Sequence, residues 1–247
     1  MRLFVLFFLL LVACTANAAE IIFPFESTIP YLLDGDGWKT VITVVNLEDT
    51  AATFSLRFYT PTGALTEYPT NLGSTNTITQ TLPARGSVTI ETLGTNTALS
   101  QGWAYLDTTF IVGGTAIFRK TVPGLPPLES SEPLSATIYN RMAFAFDNTG
   151  GGGTGLAVVN SIMDTTATVF LVFRAEDGTQ FFVDSFALPP LNSTSFTVAD
   201  RYPQTAGKRG TFELATSAFW ITGLAVHVTP SGSFTAITPL VSIDWVP

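Results

Sequence analysis

TVITVVN at residues 40–46 and TGLAVVN at residues 154–160 are two copies of one segment, and they decide how the chain is organised. The first copy continues into DTAATFSLRF (49–58) and the second into DTTATVFLVF (164–173). TVITVVN and TGLAVVN share four identical residues. After a one-residue insertion, DTAATFSLRF and DTTATVFLVF share six. Average composition gives far fewer matches by chance, so an internal duplication is predicted.

The duplication extends along most of the chain, because LPARGS (82–87) is matched by LPPLNS (188–193). Each unit is about 105 to 115 residues long, which is the usual size of an antiparallel sandwich domain with its own core. We therefore predict one domain at residues 20–134 and a second at residues 135–247, preceded by a signal peptide at residues 1–19.

Short runs rich in β-forming residues alternate with turn residues, and no stretch shows a sustained helical period. In FSLRFY (54–59), Phe54, Leu56 and Phe58 share one face, which is the pattern of a strand with one side in the core. Asn46 and Asn160 each end a strand ahead of an Asp-Thr turn, where a short side chain can bond the local backbone. The predicted fold is all-β, with two tandem antiparallel sandwiches.

This pattern of strand, asparagine, Asp-Thr-x-Ala-Thr turn, alternating strand and glycine turn resembles the tandem Ig-like or fibronectin-III-like β-sandwich repeats of secreted bacterial proteins. The resemblance covers nearly all of residues 20–247 by way of the two copies. It implies spacer, adhesive, ligand-binding or assembly roles. It transfers no catalytic residue, since the shared positions are turn and core positions.

The first residues have the features of a bacterial export signal. Arg2 precedes the apolar run LFVLFFLLLVA (3–13), which is too short to span a bilayer, and Ala16 and Ala18 offer a cleavage site. The residues up to Cys14 also resemble a lipobox, so lipidation at Cys14 is the alternative. The chain is expected to be secreted, periplasmic or in the cell envelope; the alternative is an outer-membrane lipoprotein held by a lipid anchor and not by a membrane span.

Composition excludes several classes of function. Cys14 is the only cysteine, so cleavage after Ala18 removes every thiol and with it disulfides and cysteine catalysis. The formal net charge is -8, and it becomes -9 when the single basic residue of the leader, Arg2, is lost (-8 - 1). An acidic chain with few basic residues is poorly suited to bind nucleic acid.

Residues with the chemistry of a catalytic or metal site are scarce. The single histidine, His227, aligns with Phe118 of the first copy and is interpreted as a packed sheet residue. The run Asp34-Gly35-Asp36-Gly37 carries two carboxylates that suit calcium, but it lacks the distal glutamate of an EF-hand loop and is interpreted as a turn. We predict no catalytic residue, no cofactor and no metal ligand, and hence no enzyme.

The two copies differ on the face that points away from the core. Phe170 and Val172 stand where the first copy has Ser55 and Arg57, and the nearby FFVDSF (181–186) is expected to place aromatic rings on both faces. An apolar outer face is usually covered. We expect coverage by the first domain or by the C-terminal VSIDWVP (241–247), with self-association or an unknown protein partner as the alternative.

The sequence therefore favours a non-catalytic, exported tandem β-sandwich protein with a structural, adhesive or assembly role, whose interaction surface includes Phe170 and Val172. A module that binds glycans or other ligands is the alternative, with Trp38, Trp103, Trp220 and Trp245 as candidate stacking platforms. A hydrolase is the least favoured interpretation, because the Asp and Glu residues mostly stand singly beside Gly, Thr or Pro in turns; the sequence spacing of paired carboxylates does not exclude it, since their separation is three-dimensional.

Overall fold

In a computed structural model that describes residues 26–136, 140–216 and 221–241, the chain folds into antiparallel β-sheets. The strands up to residue 136, the first half, are β1 (Ser27–Asp34), β2 (Trp38–Asn46), β3 (Ala52–Tyr59), β4 (Tyr68–Thr70), β5 (Gly73–Thr75), β6 (Thr77–Leu82), β7 (Ser87–Glu91), β8 (Ser100–Thr108), β9 (Val112–Lys120), β10 (Leu128–Pro133) and β11 (Ser135–Ala136).

The second half, from residue 140 onward, contains the remaining strands and two short helical turns, α1 at Val198–Arg201 and a 3-10 turn at Pro203–Thr205. Its strands are β12 (Arg141–Asp147), β13 (Gly153–Asn160), β14 (Ala167–Ala175), β15 (Gln180–Leu188), β16 (Ser193–Thr197), β17 (Arg209–Thr216), β18 (Ile221–Val228), β19 (Phe234–Ile237) and β20 (Leu240–Val241). The all-β prediction is confirmed.

Each half contains one five-stranded and one four-stranded sheet, and the strand orders correspond. The five-stranded sheets run β11-β1-β8-β3-β6 and, read in the same direction, β20-β12-β17-β14-β15. The four-stranded sheets run β10-β9-β2-β7 and β19-β18-β13-β16. A small hairpin, β4-β5, occurs in the first half. The predicted boundary between residues 134 and 135 stays a prediction, and β11, just past it, pairs with β1.

The core of each half lies between its two sheets. In the first half, strands of both sheets contribute residues that are almost fully buried, among them Ile42, Phe54, Leu56, Phe58 and Phe118. The corresponding cluster of the second half includes Leu156, Val169, Leu171, Phe173 and Phe212. The alternation predicted for β3 and β14 is therefore correct, and burial of these side chains is the main stabilising contribution.

A buried asparagine closes the second strand of each copy. The amide nitrogen of Asn46 donates to the carbonyls of Thr50 (2.7 Å) and Pro83 (2.9 Å). The amide nitrogen of Asn160 donates to the carbonyls of Thr165 (2.8 Å) and Leu188 (2.9 Å). Both side chains are fully buried. The predicted bonding of these side chains to nearby backbone is confirmed, and each also reaches the distant loop that follows β6 or β15.

A buried threonine repeats in the same way at the start of these strands. The hydroxyl of Thr40 donates to the carbonyl of Leu33 (2.9 Å) and accepts from its N–H (3.0 Å). The hydroxyl of Thr154 makes the same pair of contacts with Asp147, at 3.2 Å and 3.0 Å. Each hydroxyl satisfies both a buried donor and a buried acceptor, so it ties β2 to β1 and β13 to β12.

We predict that Asn46→Ala and Asn160→Ala each lower the free energy of unfolding by about 1–3 kcal/mol, because each leaves buried backbone carbonyls without a donor. Denaturant unfolding of the two variants measures this. Thr53→Ala is the control, since it removes an exposed hydroxyl that contacts Thr81, and we expect a change within about 0.5 kcal/mol. Equal stability of the wild type and both asparagine variants would contradict the prediction.

Candidate functional site

The predicted interaction residues Phe170 and Val172 lie on β14, next to the edge strand β15. Phe170 keeps 43% of its surface exposed, while the side chains before and after it point into the core. Val172 is half-buried and pairs across the sheet with Val183, which is 48% exposed. We call Phe170, Val172 and Val183 the Phe170 face.

The corresponding face of the first half is polar and internally bonded. Thr53 contacts Thr81 at 2.8 Å and Ser55 contacts Thr79 at 3.0 Å, hydroxyl to hydroxyl. Arg57 forms an ion pair with Asp107 at 3.3 Å. These polar side chains bond to one another across the strands. At the same position the Phe170 face exposes apolar surface to water.

A charged cluster borders the Phe170 face. Glu213 lies opposite Val172 on β17 and accepts from the guanidinium of Arg141 at 2.5 Å. The Nε of Arg174 lies 3.6 Å from the other oxygen of Glu213. An apolar centre beside charged groups is the usual anatomy of a protein interface.

The prediction that FFVDSF places aromatic rings on both faces is wrong. A bulge between Phe173 and Arg174 shifts the register of β15. As a result Phe181 and Phe182, although neighbours in sequence, both pack against the core, and Phe186 joins them. The apolar side chains on the outer face of β15 are therefore Val183 and Ala187, with Ser185 between them.

The described residues of the first half, one of the two predicted covers, leave Phe170 43% exposed. The other predicted cover, the C-terminal segment, lies outside the described residues beyond Val241. The edge strand β15 beside this face pairs within the described residues only with β14. A nine-residue edge strand without proline or lysine is open to pairing with another chain.

The first half instead uses its own outer face to contact the second half. Tyr59 and Trp103 stack with ring centroids 4.4 Å apart, and both are buried. The indole nitrogen of Trp103 donates to the carbonyl of Leu191 at 3.1 Å, and Val159 packs against the pair. Sequence reasoning missed this junction. The signal that could have revealed it is the alignment of the aromatic residue Tyr59 with the charged Arg174 of the second copy, which marks a difference in surface chemistry between the halves.

Two further contacts fix the halves together. The N–H of Ser193 donates to the carbonyl of Pro61 at 2.9 Å, joining one turn from each half. The N–H of Ala236 donates to the hydroxyl of Ser130 at 2.6 Å, joining β19 to β10. Leu224 of β18 is part of the same buried cluster as the core of the first half. The junction is thus held both by buried apolar side chains from the two halves and by hydrogen bonds between them.

The tryptophans predicted as stacking platforms are not exposed where the structure describes them. Trp103 is fully buried in the junction. Trp38 is half-buried, with its ring centroid 5.0 Å from that of Phe234. Trp220 and Trp245 lie outside the described residues. Trp103 therefore offers no open face on which a sugar ring could stack.

His227 lines a shallow groove together with Asp147, Glu176 and Arg209. Hydrogen bonds from Thr149 lower the pKa of Asp147, and Arg209 forms an ion pair with Glu176 at 3.0 Å. General acid catalysis by a carboxyl needs a raised pKa. The pKa of Asp147 is shifted in the opposite direction.

The loop at Asp34–Gly37 is held by the protein's own donors. The carboxylate of Asp34 accepts from the N–H of Gly94 at 2.7 Å, and that of Asp36 lies 3.0 Å from the ammonium of Lys120. Gly35 and Gly37 adopt φ values of 86° and 78°, which suit a tight turn. Within the described ranges no group of three or more metal-ligating side chains comes together.

The predicted processing residues Cys14, Ala16 and Ala18 lie outside the described residues, so the cleavage and lipidation hypotheses stay predictions. In the part of the chain that the structure describes, no helix has the length and apolar character needed to cross a bilayer.

Comparisons with protein-family models, with curated proteins and with solved structures found no match to this chain.

We predict that Trp103→Phe weakens the junction, because the aromatic stack on Tyr59 is kept while the carbonyl of Leu191 loses its donor. The free energy of unfolding should fall by about 1–3 kcal/mol. Amide hydrogen exchange at Ser193, whose N–H bonds Pro61 across the junction, should accelerate. Unchanged exchange at Ser193 would show that this indole does not hold the halves together.

A second prediction concerns Glu132 on β10, which is buried and whose Oε1 has no hydrogen-bond partner among the described residues. Burial raises the pKa of this carboxyl well above its ordinary value. The folded state therefore holds the proton more tightly than the unfolded state, and its stability falls as pH rises above the unfolded pKa of about 4.3.

We expect Glu132→Gln, which cannot ionise, to remove this part of the pH dependence. The variant should gain stability relative to the wild type as pH increases from about 4 to 8, measured by denaturant unfolding at each pH. The exposed Glu67→Gln is the control and should follow the wild type. Parallel wild-type and Glu132→Gln profiles would rule out a buried neutral carboxyl.

Proposed function

We propose that this chain is a non-catalytic exported protein of two tandem Ig-like β-sandwich domains, produced by internal duplication, with a structural, adhesive or assembly role at the cell envelope or outside the cell. The leader-like residues 1–19 support export. The matching strand orders of the two halves support the duplication.

The observation that carries the assembly role is the difference between the two outer faces. Ser55 and Arg57 of the first half have hydrogen-bonding or ionic partners on neighbouring strands. Phe170 and Val172 replace them in the second half, beside β15, which among the described residues pairs only with β14. Exposing clustered apolar side chains carries a solvation cost that burial in an interface removes.

The junction supports a structural role, because it holds the Phe170 face in a fixed orientation relative to the first half. Trp103 and Ser193 contribute hydrogen bonds across it, and Leu224 extends the core of the first half. A large apolar junction restricts domain motion. The proposed partner of the Phe170 face is a second copy of this chain, paired through the same surface.

Size-exclusion chromatography with light scattering on residues 20–247, over a wide concentration range, tests this assembly. We expect the wild type to form a concentration-dependent dimer, because association buries the Phe170 face. Phe170→Ser should shift the equilibrium to monomer. Leu125→Ser is the matched control, since Leu125 is 62% exposed but lies in the turn after β9, and it should dimerise like the wild type.

A wild type that is monomeric at every concentration would refute self-association. Dimers that persist in Phe170→Ser would place the interface elsewhere on the molecule. Dimers lost equally in Leu125→Ser and Phe170→Ser would indicate non-specific apolar contact and not an assembly surface.

A further inference from the structure

A cavity of about 440 Å³ lies between the two halves. Both halves contribute buried lining residues: Leu33 and Phe118 from the first half, and Ala157 and Leu224 from the second. The volume falls in the range of sites that hold small organic molecules, and such sites occur preferentially between domains. We call it the junction cavity.

Aromatic rings form the walls of the junction cavity. Tyr31 and Trp38 project from the first half, and Phe234 projects from the second. All three are half-buried, and the Trp38 and Phe234 rings meet at 5.0 Å with an interplanar angle of 46°. Rings set at an angle leave faces and edges to which a flat apolar molecule can pack.

The cavity opens to solvent on one side. Leu99 from the first half is 38% exposed and Val228 from the second is 39% exposed. Gln101 and Gly232, also lining residues, are exposed. A molecule can therefore enter between the halves without breaking the Trp103 contact.

The described lining residues include no charged side chain. The ammonium of Lys120 lies 5.3 Å from the ring centroid of Trp38, but it is paired with Asp36. The lining hydroxyls belong to Tyr31, Ser195 and Thr197. Burial raises the pKa of Tyr31, so its hydroxyl is neutral at physiological pH. A charged ligand would lose its hydration without gaining a counter-ion.

Gly155 is the residue that leaves this space open. It lies on β13 and lines the cavity, while the aligned residue of the first copy is Val41. A Cβ at Gly155 would meet the carbonyls of Val226 and Phe196 at 3.8 Å and 4.0 Å, which are ordinary contacts. The backbone thus has room for a side chain here, and the glycine is not required by its conformation.

We infer that the junction cavity is a binding site for an uncharged, mainly apolar small molecule, with its apolar body against the aromatic walls and a hydroxyl or carbonyl group near Ser195 and Tyr31. An unfilled apolar cavity forfeits dispersion contacts with its walls, and a ligand of this class restores them. This inference does not depend on assembly through the Phe170 face.

Fluorescence titration of residues 20–247 with the neutral apolar dye N-phenyl-1-naphthylamine tests the site. The wild type should bind one dye per chain, saturably. Gly155→Phe places a ring in the cavity and should weaken binding at least tenfold, and Gly155→Val, the residue of the first copy, should weaken it by less. Circular dichroism checks that both variants remain folded.

Thr53→Phe is the matched control. It introduces the same ring at an exposed position of β3, on the outer face of the first half, and Thr53 does not line the cavity. Its dye affinity should equal that of the wild type. Phe170→Ser should also bind normally, which separates this site from the assembly surface.

Three results would overturn the inference. The wild type could fail to bind the dye saturably, or the two Gly155 variants could bind it as tightly as the wild type. Loss of binding in Phe170→Ser with retention in Gly155→Phe would place the dye on the Phe170 face and leave the junction cavity without a ligand.

Discussion

The requirement that a buried amide satisfy all its hydrogen bonds determines much of this structure. Asn46 and Asn160 are fully buried at the ends of β2 and β13, and each links the turn that follows it to a loop far away in sequence. If these buried amide groups had no hydrogen-bond partners, the loss of folding free energy would exceed what most single contacts contribute. The position of each loop relative to the core is fixed by this side chain.

The loop so fixed in the second half is also the one that meets the first half. Its residue Leu191 has a φ of 56°, and Arg85 at the aligned position of the first half has a φ of 57°. A left-handed conformation is unfavourable for a branched side chain, and here it presents the Leu191 carbonyl to Trp103 and the Ser193 N–H to Pro61. The constraint imposed by Asn160 thus extends to the junction.

Residues whose burial and bonding depend on their own strand and the adjacent turn were predictable from the sequence. Alternation correctly identified the buried positions of β14 and left Phe170 outside, and the strand-ending asparagines followed from their turns. The bulge that turns Phe181 inward was not predictable, because it depends on how β15 is paired. The junction cavity at Gly155 was missed for a similar reason, since it exists only where surfaces distant in sequence come together.

The two copies differ at the positions that form the junction between the halves. Tyr59 and Trp103 form the apolar end of the first outer face, which docks on the second half. At the aligned positions the second half has Arg174 and Thr211, and Arg174 faces Glu213 in the charged cluster. Charged side chains resist desolvation, so the second half lacks at these positions the apolar docking surface of the first half. The exposed apolar surface on β14 lies instead at Phe170.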